Sequence, residues 1–451
     1  MLGLEFDRGT FLITGDDAAS MPFSRVDPRT GGVRVAAYRF GDLAAYLEGR
    51  SFAGDVRSAW GARPRPLDDL ELRPYQTEAL AAWESFGRCG VVALPTGAGK
   101  TRLAIAAIRA TGLPSIVLCP TRVLLAAWAD ELAKRMREPI GTVGDGQRRI
   151  ERITVMTFES AYRHLQDVGD RFGLLVVDEA HHFAGGIRCE ALEACAATAR
   201  LGLTATAPRP DSDGAMRLAD VIGSVVYEVS MRELVGRHLA ELSIVRVPVR
   251  LTDTEREKYD RLVEPLRFMR RQWFRAHRTA SYAAFVQAMG ATPEGRRAMR
   301  EHARALDIAY FPRDKRAIVR ALLARHRADR TIVFTARTED AYRVAEDSLV
   351  PVITAEVKAR ERTRILEKFR AGSVRAIATA RVLNEGVDVP DARVAIVVAG
   401  TLGAREHVQR IGRVLRPSPG KRAIAYELVT LETVDEKSAE RRSEHASAAS
   451  A

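Results

Sequence analysis

The stretch Leu94-Pro95-Thr96-Gly97-Ala98-Gly99-Lys100-Thr101 sets two glycines, a lysine and two hydroxyls between the apolar run Gly90-Val91-Val92-Ala93 and the helix-like Arg102 to Ala110. A strand that turns sharply into a helix leaves backbone N–H groups unpaired and aims them, with the positive end of the helix dipole, at one point. A phosphate suits that point. Gly97 and Gly99 permit close backbone approach, Lys100 can reach β- and γ-phosphates, and the Thr101 hydroxyl can ligate Mg²⁺. Pro95, Thr96 and Ala98 complete the loop. The strict motif has Gly where Leu94 stands, so alone the loop reads as nucleotide-binding with a plain Gly-rich turn as the alternative.

Asp178-Glu179-Ala180-His181 offers the complementary chemistry. The apolar Leu174-Leu175-Val176-Val177 delivers two adjacent carboxylates to a strand exit, where they repel unless a cation joins them. Beside a phosphate loop the first acid suits Mg²⁺ and the second suits orienting or deprotonating an attacking water. A solvated helix cap is the alternative. Further on, Gln409-Arg410-Ile411-Gly412-Arg413-Val414-Leu415-Arg416 places Gln409, Arg413 and Arg416 on one face of a helix. Either that face is solvated and basic, or it grips an anion. Gly412 costs a helix about 1 kcal/mol relative to Ala, which favours a close approach there.

The elements that must position these residues are short apolar strands alternating with helices. Gly90–Ala93, Ser115–Cys119, Ile153–Met156, Leu174–Val177 and Leu201–Thr204 predict a parallel sheet with helices on both faces. Ligands collect at the carboxyl ends of such strands, where Lys100, Thr101, Thr121, Thr157, Asp178 and Thr206 stand. A second α/β unit begins near Phe311, with strands expected at Thr331–Phe334, Pro351–Ile353, Ala376–Ala378, Ala395–Val398 and Ala423–Glu427. The fold class is therefore α/β, two parallel-sheet domains in tandem, with a helical insertion between them and a small α+β domain in front. The domains are expected at 1–70, 71–240, 241–310 (linker and helical insertion), 311–430 and a disordered tail at 431–451.

The chain has 451 residues, 46% of them hydrophobic, and 70 Lys and Arg against 58 Asp and Glu, for a net charge of +12. That excess favours a polyanionic partner such as nucleic acid; an Arg-rich proteome is the alternative. In the insertion, Arg267, Arg270, Arg271, Arg275 and Arg278 surround Trp273, Phe274 and His277. Aromatics packed inside and arginines facing a sugar-phosphate backbone is the expected arrangement. Cys89, Cys119, Cys189 and Cys195 form no CxxC pair, which argues against a zinc site or a disulfide framework. Without an apolar leader or an 18-residue apolar run, a cytoplasmic protein with no membrane partner is expected.

Taken together and in order, the motifs resemble superfamily 2 helicases and translocases. Leu72-Arg73-Pro74-Tyr75-Gln76 resembles their adenine-recognising motif, which makes Arg73 and Gln76 nucleotide-site candidates. Cys119-Pro120-Thr121-Arg122 and Met156-Thr157-Phe158 resemble the motifs that grip a DNA strand, and the resemblance extends that role to Thr335 and Thr379. Leu203-Thr204-Ala205-Thr206 resembles the motif linking hydrolysis to movement. The resemblance makes Arg413 and Arg416 fingers reaching ATP across an interdomain cleft, Gln409 a γ-phosphate reader, and Gly386 and Asp388 part of the same cleft.

The opening Leu4-Glu5-Phe6-Asp7-Arg8-Gly9-Thr10, the Asp27-Pro28-Arg29 turn and the region of Tyr38 narrow the resemblance to the XPB family of repair and transcription helicases, in its compact archaeal and bacterial form. It implies a damage-recognition-like first domain, a thumb-like insertion, and a monomeric ATP- and Mg²⁺-dependent DNA motor moving 3′ to 5′ in repair with an endonuclease partner. Two departures stand out. Ala180 replaces the family's usual Val, and the strand-separating Arg-Glu-Asp element corresponds to Arg209-Pro210-Asp211. The coupling candidates are thus Thr204, Thr206, Arg209 and Asp211. An RNA-remodelling or defence-system motor, and a DNA clamp or assembly ATPase that does not unwind, are the competing functions.

Overall fold

The structure is a computed structural model, and it describes the chain except residues 1, 16–17, 49–51, 66–68, 186–188, 209–210, 235–240, 381–391, 400–421 and 441–451. The described residues divide into two compact units, the first within 1–234 and the second within 235–451.

The first unit opens with a small sheet ordered Arg25–Val26, Val33–Ala36, Thr10–Thr14, Leu2–Asp7, Phe52–Ala53. Its central hairpin turns at Arg8 and Gly9, both at positive φ (48° and 78°), the backbone that matches a right-handed strand twist. Phe11 and Phe40 stack at 4.9 Å in its core, and Trp60 meets Phe40 edge-on at 6.1 Å. This core runs directly into the neighbouring sheet through Ala196. The Trp60 indole donates to Asp170 O (2.8 Å), Arg152 donates to Trp60 O and Gly61 O (2.7 Å each), and Arg39 pairs with Asp220 at 2.5 Å. Gly9 lies so close to the neighbouring layer that a Cβ there would sit 2.8 Å from Ala194 Cβ.

The larger sheet of this unit is ordered Val225–Glu228, Cys89–Ala93, Ala199–Thr204, Leu174–Asp178, Ser115–Cys119, Ile153–Thr157, Ile140–Gly144, Gln147–Arg149. All pairings are parallel except the last. Its central strands are buried along their whole length, as helices on both faces require. Arg200, at the foot of one central strand, is buried and donates to the carbonyls of Ala197 (2.9 Å), Leu192 (3.1 Å), Val221 (2.7 Å) and Cys195.

In the second unit the sheet is wholly parallel, ordered Glu241–Val249, Arg422–Thr430, Val394–Val397, Thr331–Thr335, Ala376–Ala380, Val352–Ile353. Helices Asp253–Ala276, Tyr282–Ala291 and Pro293–Tyr310 form the insertion, each started by a Ser or Thr cap. Tyr259, Val263, Ala305 and Ala309 make its buried seam.

Two expected boundaries are corrected here. Residues 241–249, read as linker, form an edge strand paired residue for residue with Arg422–Thr430; a partner distant in sequence decides what local composition could not. The expected tail packs through residue 440: 434–440 are helical and Asp435 is fully buried. Its carboxylate meets the equally buried Lys315 ammonium at 2.7 Å and accepts from Thr430 N at 2.9 Å, while Lys315 also donates to Val398 O at 2.6 Å. All four cysteines are free thiols, Cys119 and Cys195 buried. Among the described residues, no helix is long and apolar enough to cross a membrane.

Candidate active site

The phosphate loop follows its strand as the sequence predicts. Gly97 and Gly99 take φ of 86° and 79°, left-handed values that glycine adopts without strain, and helix Lys100–Thr111 begins directly after them. A Cβ on Gly99 would lie 2.5 Å from Gln76 Nε2, so the glycine also makes room for the brace below. Lys100 Nζ donates to Leu94 O at 3.3 Å, held across its own loop. The Thr96 hydroxyl is buried and has no hydrogen-bond partner.

Gln76 is 2% exposed. Its side-chain oxygen accepts from Arg73 N (2.9 Å) and its amide nitrogen donates to Ala98 O (2.8 Å), the same carbonyl that receives the Tyr75 hydroxyl at 2.8 Å. The motif expected to read a base thus braces the phosphate loop from behind. Tyr75 is a contributor that its residue type alone did not mark out.

Two strands away, Asp178 and Glu179 stand at the exit of Leu174–Asp178. Burial and the neighbouring Glu179 charge push the Asp178 carboxyl up to about 6, against the pull of Lys100 and a hydrogen bond from Trp128. Asp178 Oδ1 accepts from Glu179 N (3.0 Å) and Oδ2 accepts from the Trp128 indole (2.9 Å). Glu179 has φ of 52°, costly for a residue with a Cβ and frequent at functional sites. Its Oε2 is buried without a hydrogen-bond partner, 3.5 Å from His181 Nδ1.

These features fit a nucleotide with Mg²⁺. Two crowded acids call for a cation, and the buried oxygens of Thr96, Glu179 and Thr206 that lack a hydrogen-bond partner suit ligands that phosphates and ordered water supply. Asp178 and Thr101 would hold the ion. Among the described residues no three His, Cys, Asp or Glu side chains converge into a metal cluster.

The motif expected to couple hydrolysis to movement touches this centre. His181 Nδ1 is 3.2 Å from Thr204 Oγ1, and Thr204 Oγ1 lies 3.0 Å from Thr206 O. Asp211 is exposed, close after the described part of that motif. Arg209, Gly386, Asp388, Gln409, Arg413 and Arg416 lie outside the described residues.

The expected nucleic-acid contacts divide. Thr121 and Thr157 are helix N-caps, accepting from Leu124 N (3.3 Å) and Ser160 N (3.2 Å), which leaves two helix N-termini at neighbouring strand exits. Arg122 is exposed and pairs with Asp145 at 3.0 Å. In the insertion, Arg270, Arg271 and Arg275 are exposed while Phe285 is buried and packs edge-on to Trp273 at 5.7 Å. The expected packing is met only in part: Trp273 and Phe274 are half-buried beside Phe285, while Phe268 and Tyr282 are exposed. Thr335 and Thr379 are corrected: both are buried, and their hydroxyls donate to Arg337 O (2.8 Å) and Ile353 O (2.9 Å). They fasten strand ends and present no side chain to a ligand.

Comparison with known proteins places the chain in a family. Residues 4–54 match the xeroderma pigmentosum group B helicase damage recognition domain, 69–209 the type III restriction enzyme res subunit, and 314–418 the helicase conserved C-terminal domain. A DNA 3′-5′ translocase XPB2 of Sulfurisphaera tokodaii is 34% identical over 90% of this chain and 93% of its own length. The chain belongs to the XPB family. A DNA 3′-5′ helicase XPB of Kineococcus radiotolerans is 31% identical over 89% of this chain, which spans 66% of that longer XPB protein. The helicase domain of Pyrococcus furiosus Hef shares the fold, with a TM-score of 0.53 at 18% identity over 83% of this chain and 98% of its own.

Proposed function

We propose that this chain is an ATP- and Mg²⁺-dependent DNA motor that moves 3′ to 5′ and serves DNA repair. The observation that carries the reading is the convergence of Lys100, Asp178, Glu179 and the His181–Thr204 contact at adjacent strand exits. Loop N–H groups and Lys100 bind the phosphates. Glu179 orients and deprotonates the attacking water, and the family resemblance makes Gln409, Arg413 and Arg416, with Gly386 and Asp388, the further nucleotide contacts. Bound Mg²⁺ would neutralise charge on the phosphates. Gln76 and Arg73 would read the base side of the nucleotide.

Thr121, Arg122 and Thr157, with Arg270, Arg271 and Arg275, hold the strand. Pro210, standing where the family has Glu, favours translocation over unaided unwinding. A nuclease partner would then supply incision, and the cytoplasm would be the place of action. The test is ATP turnover with single-stranded DNA, forked DNA and RNA. Stimulation by DNA, lost in Lys100→Ala, is expected; stimulation by RNA alone, or turnover surviving Lys100→Ala, would overturn the reading. Strand displacement with and without a candidate nuclease separates a motor from a clamp.

A further inference from the structure

Trp128 is buried in the helix Arg122–Arg135, and its only polar atom, the indole N–H, donates to Asp178 Oδ2 at 2.9 Å. A buried tryptophan normally finds an acceptor for that N–H. Here the acceptor is the carboxylate expected to ligate Mg²⁺. Its other oxygen is tied to Glu179 N, so the two donors together fix the carboxylate's rotation. The same helix starts at the Thr121 cap, with the exposed Arg122 in its first turn, where a DNA strand is expected to lie. One rigid element therefore carries a strand contact at its start and a grip on the metal ligand about two turns later.

We propose that Trp128 is a positioning residue: it sets the geometry of Asp178 for Mg²⁺ and transmits the docking of a DNA strand at Thr121 and Arg122 to the nucleotide site. The proposal rests on the motor reading above. A helix shift of a few tenths of an ångström on strand binding changes the Trp128–Asp178 distance directly, because the helix is continuous between the two points. Coupling needs an element whose position both sites bias, and this helix touches both.

The test uses the full chain and Trp128→Phe, which keeps most of the ring volume and removes only the N–H donor. The readout is the Mg²⁺ concentration that half-saturates binding of fluorescent ADP, with and without single-stranded DNA, alongside ADP affinity in EDTA. A hydrogen bond to a charged group makes the expected rise in half-saturating Mg²⁺ about ten-fold, with ADP binding in EDTA unchanged and the DNA-induced change in Mg²⁺ requirement lost. Arg122→Ala is expected to weaken DNA binding and, at saturating DNA, to shrink the DNA-induced change in Mg²⁺ requirement. A folded Trp128→Phe protein with parental Mg²⁺ dependence overturns the proposal. Should that variant melt early, Arg122→Ala decides: a parental DNA-induced change at saturating DNA removes the proposed link. Lys100→Ala serves as the control on the underlying reading. If it too leaves ADP binding intact, the phosphate-loop assignment fails; if it abolishes binding while Trp128→Phe is silent, only the positioning role fails.

Discussion

His181 Nδ1 and Thr204 Oγ1 stand 3.2 Å apart, joining the acidic motif of one strand to the coupling motif of the next. The hydroxyl also lies within hydrogen-bond reach of Thr206 O, so it relays between the imidazole and the loop that follows. Thr204→Val keeps the shape and deletes the relay. ATP turnover is expected to stay within about three-fold of the parent while DNA translocation falls about ten-fold, the size of a typical coupling energy. Measuring turnover and displacement of a triplex-forming strand on the same protein checks this; equal losses in both would mean that Thr204 serves only the chemistry.

Glu179 has a left-handed backbone and an oxygen with no hydrogen-bond partner. Glu179→Gln is expected to lower kcat by about 10²–10⁴, the usual contribution of a general base, with ATP binding retained. Single-turnover hydrolysis beside equilibrium ATP binding distinguishes this from a folding defect, which would weaken both.

The Asp178 carboxyl, raised to about 6 by burial and by Glu179, has a sign that can be tested without nucleotide. Folded protein holds this proton above the pH at which an unfolded aspartate releases it, so stability falls as pH rises from about 4 to about 6. In Asp178→Asn that component of the slope disappears. Urea denaturation at several pH values across this window, in EDTA, gives the comparison. Parallel slopes in the two proteins would show that the carboxyl is already ionised at pH 4.

Lys315 and Asp435 form a fully buried ion pair. Removing one partner leaves an unpaired charge, so Asp435→Ala should cost about 3–5 kcal/mol, and Lys315→Met with Asp435→Leu should recover much of it. Ending the chain after residue 430 should lose at least as much as Asp435→Ala. Denaturant midpoints of these three proteins decide whether 431–440 is core or tail.

Much of this architecture is legible in the sequence because buried parallel strands are continuous apolar runs: Ser115–Cys119 and Leu174–Asp178 stand out in that way. Edge strands do not. Gln147–Arg149 is wholly polar and exposed, and Glu241–Val249 becomes a strand only through Arg422–Thr430. Side-chain direction is equally hidden. Nothing local to Thr335 or Thr379 says that their hydroxyls turn inward, nor does the sequence place Trp128 against an acid fifty positions later. Spacing locates the loop and the acids, and folding alone assigns what lies behind them.

The small N-terminal sheet shares its hydrophobic core with the first ATP-binding domain. Ala196 closes that core, Trp60 hangs on Asp170, and Gly9 has no room for a side chain against Ala194. It is consequently a poor candidate for transplantation. Cut from its host, it would carry an apolar scar and leave another behind, so a chimera that swaps this domain between relatives must also exchange the corner around Asp170, Ala194 and Asp220.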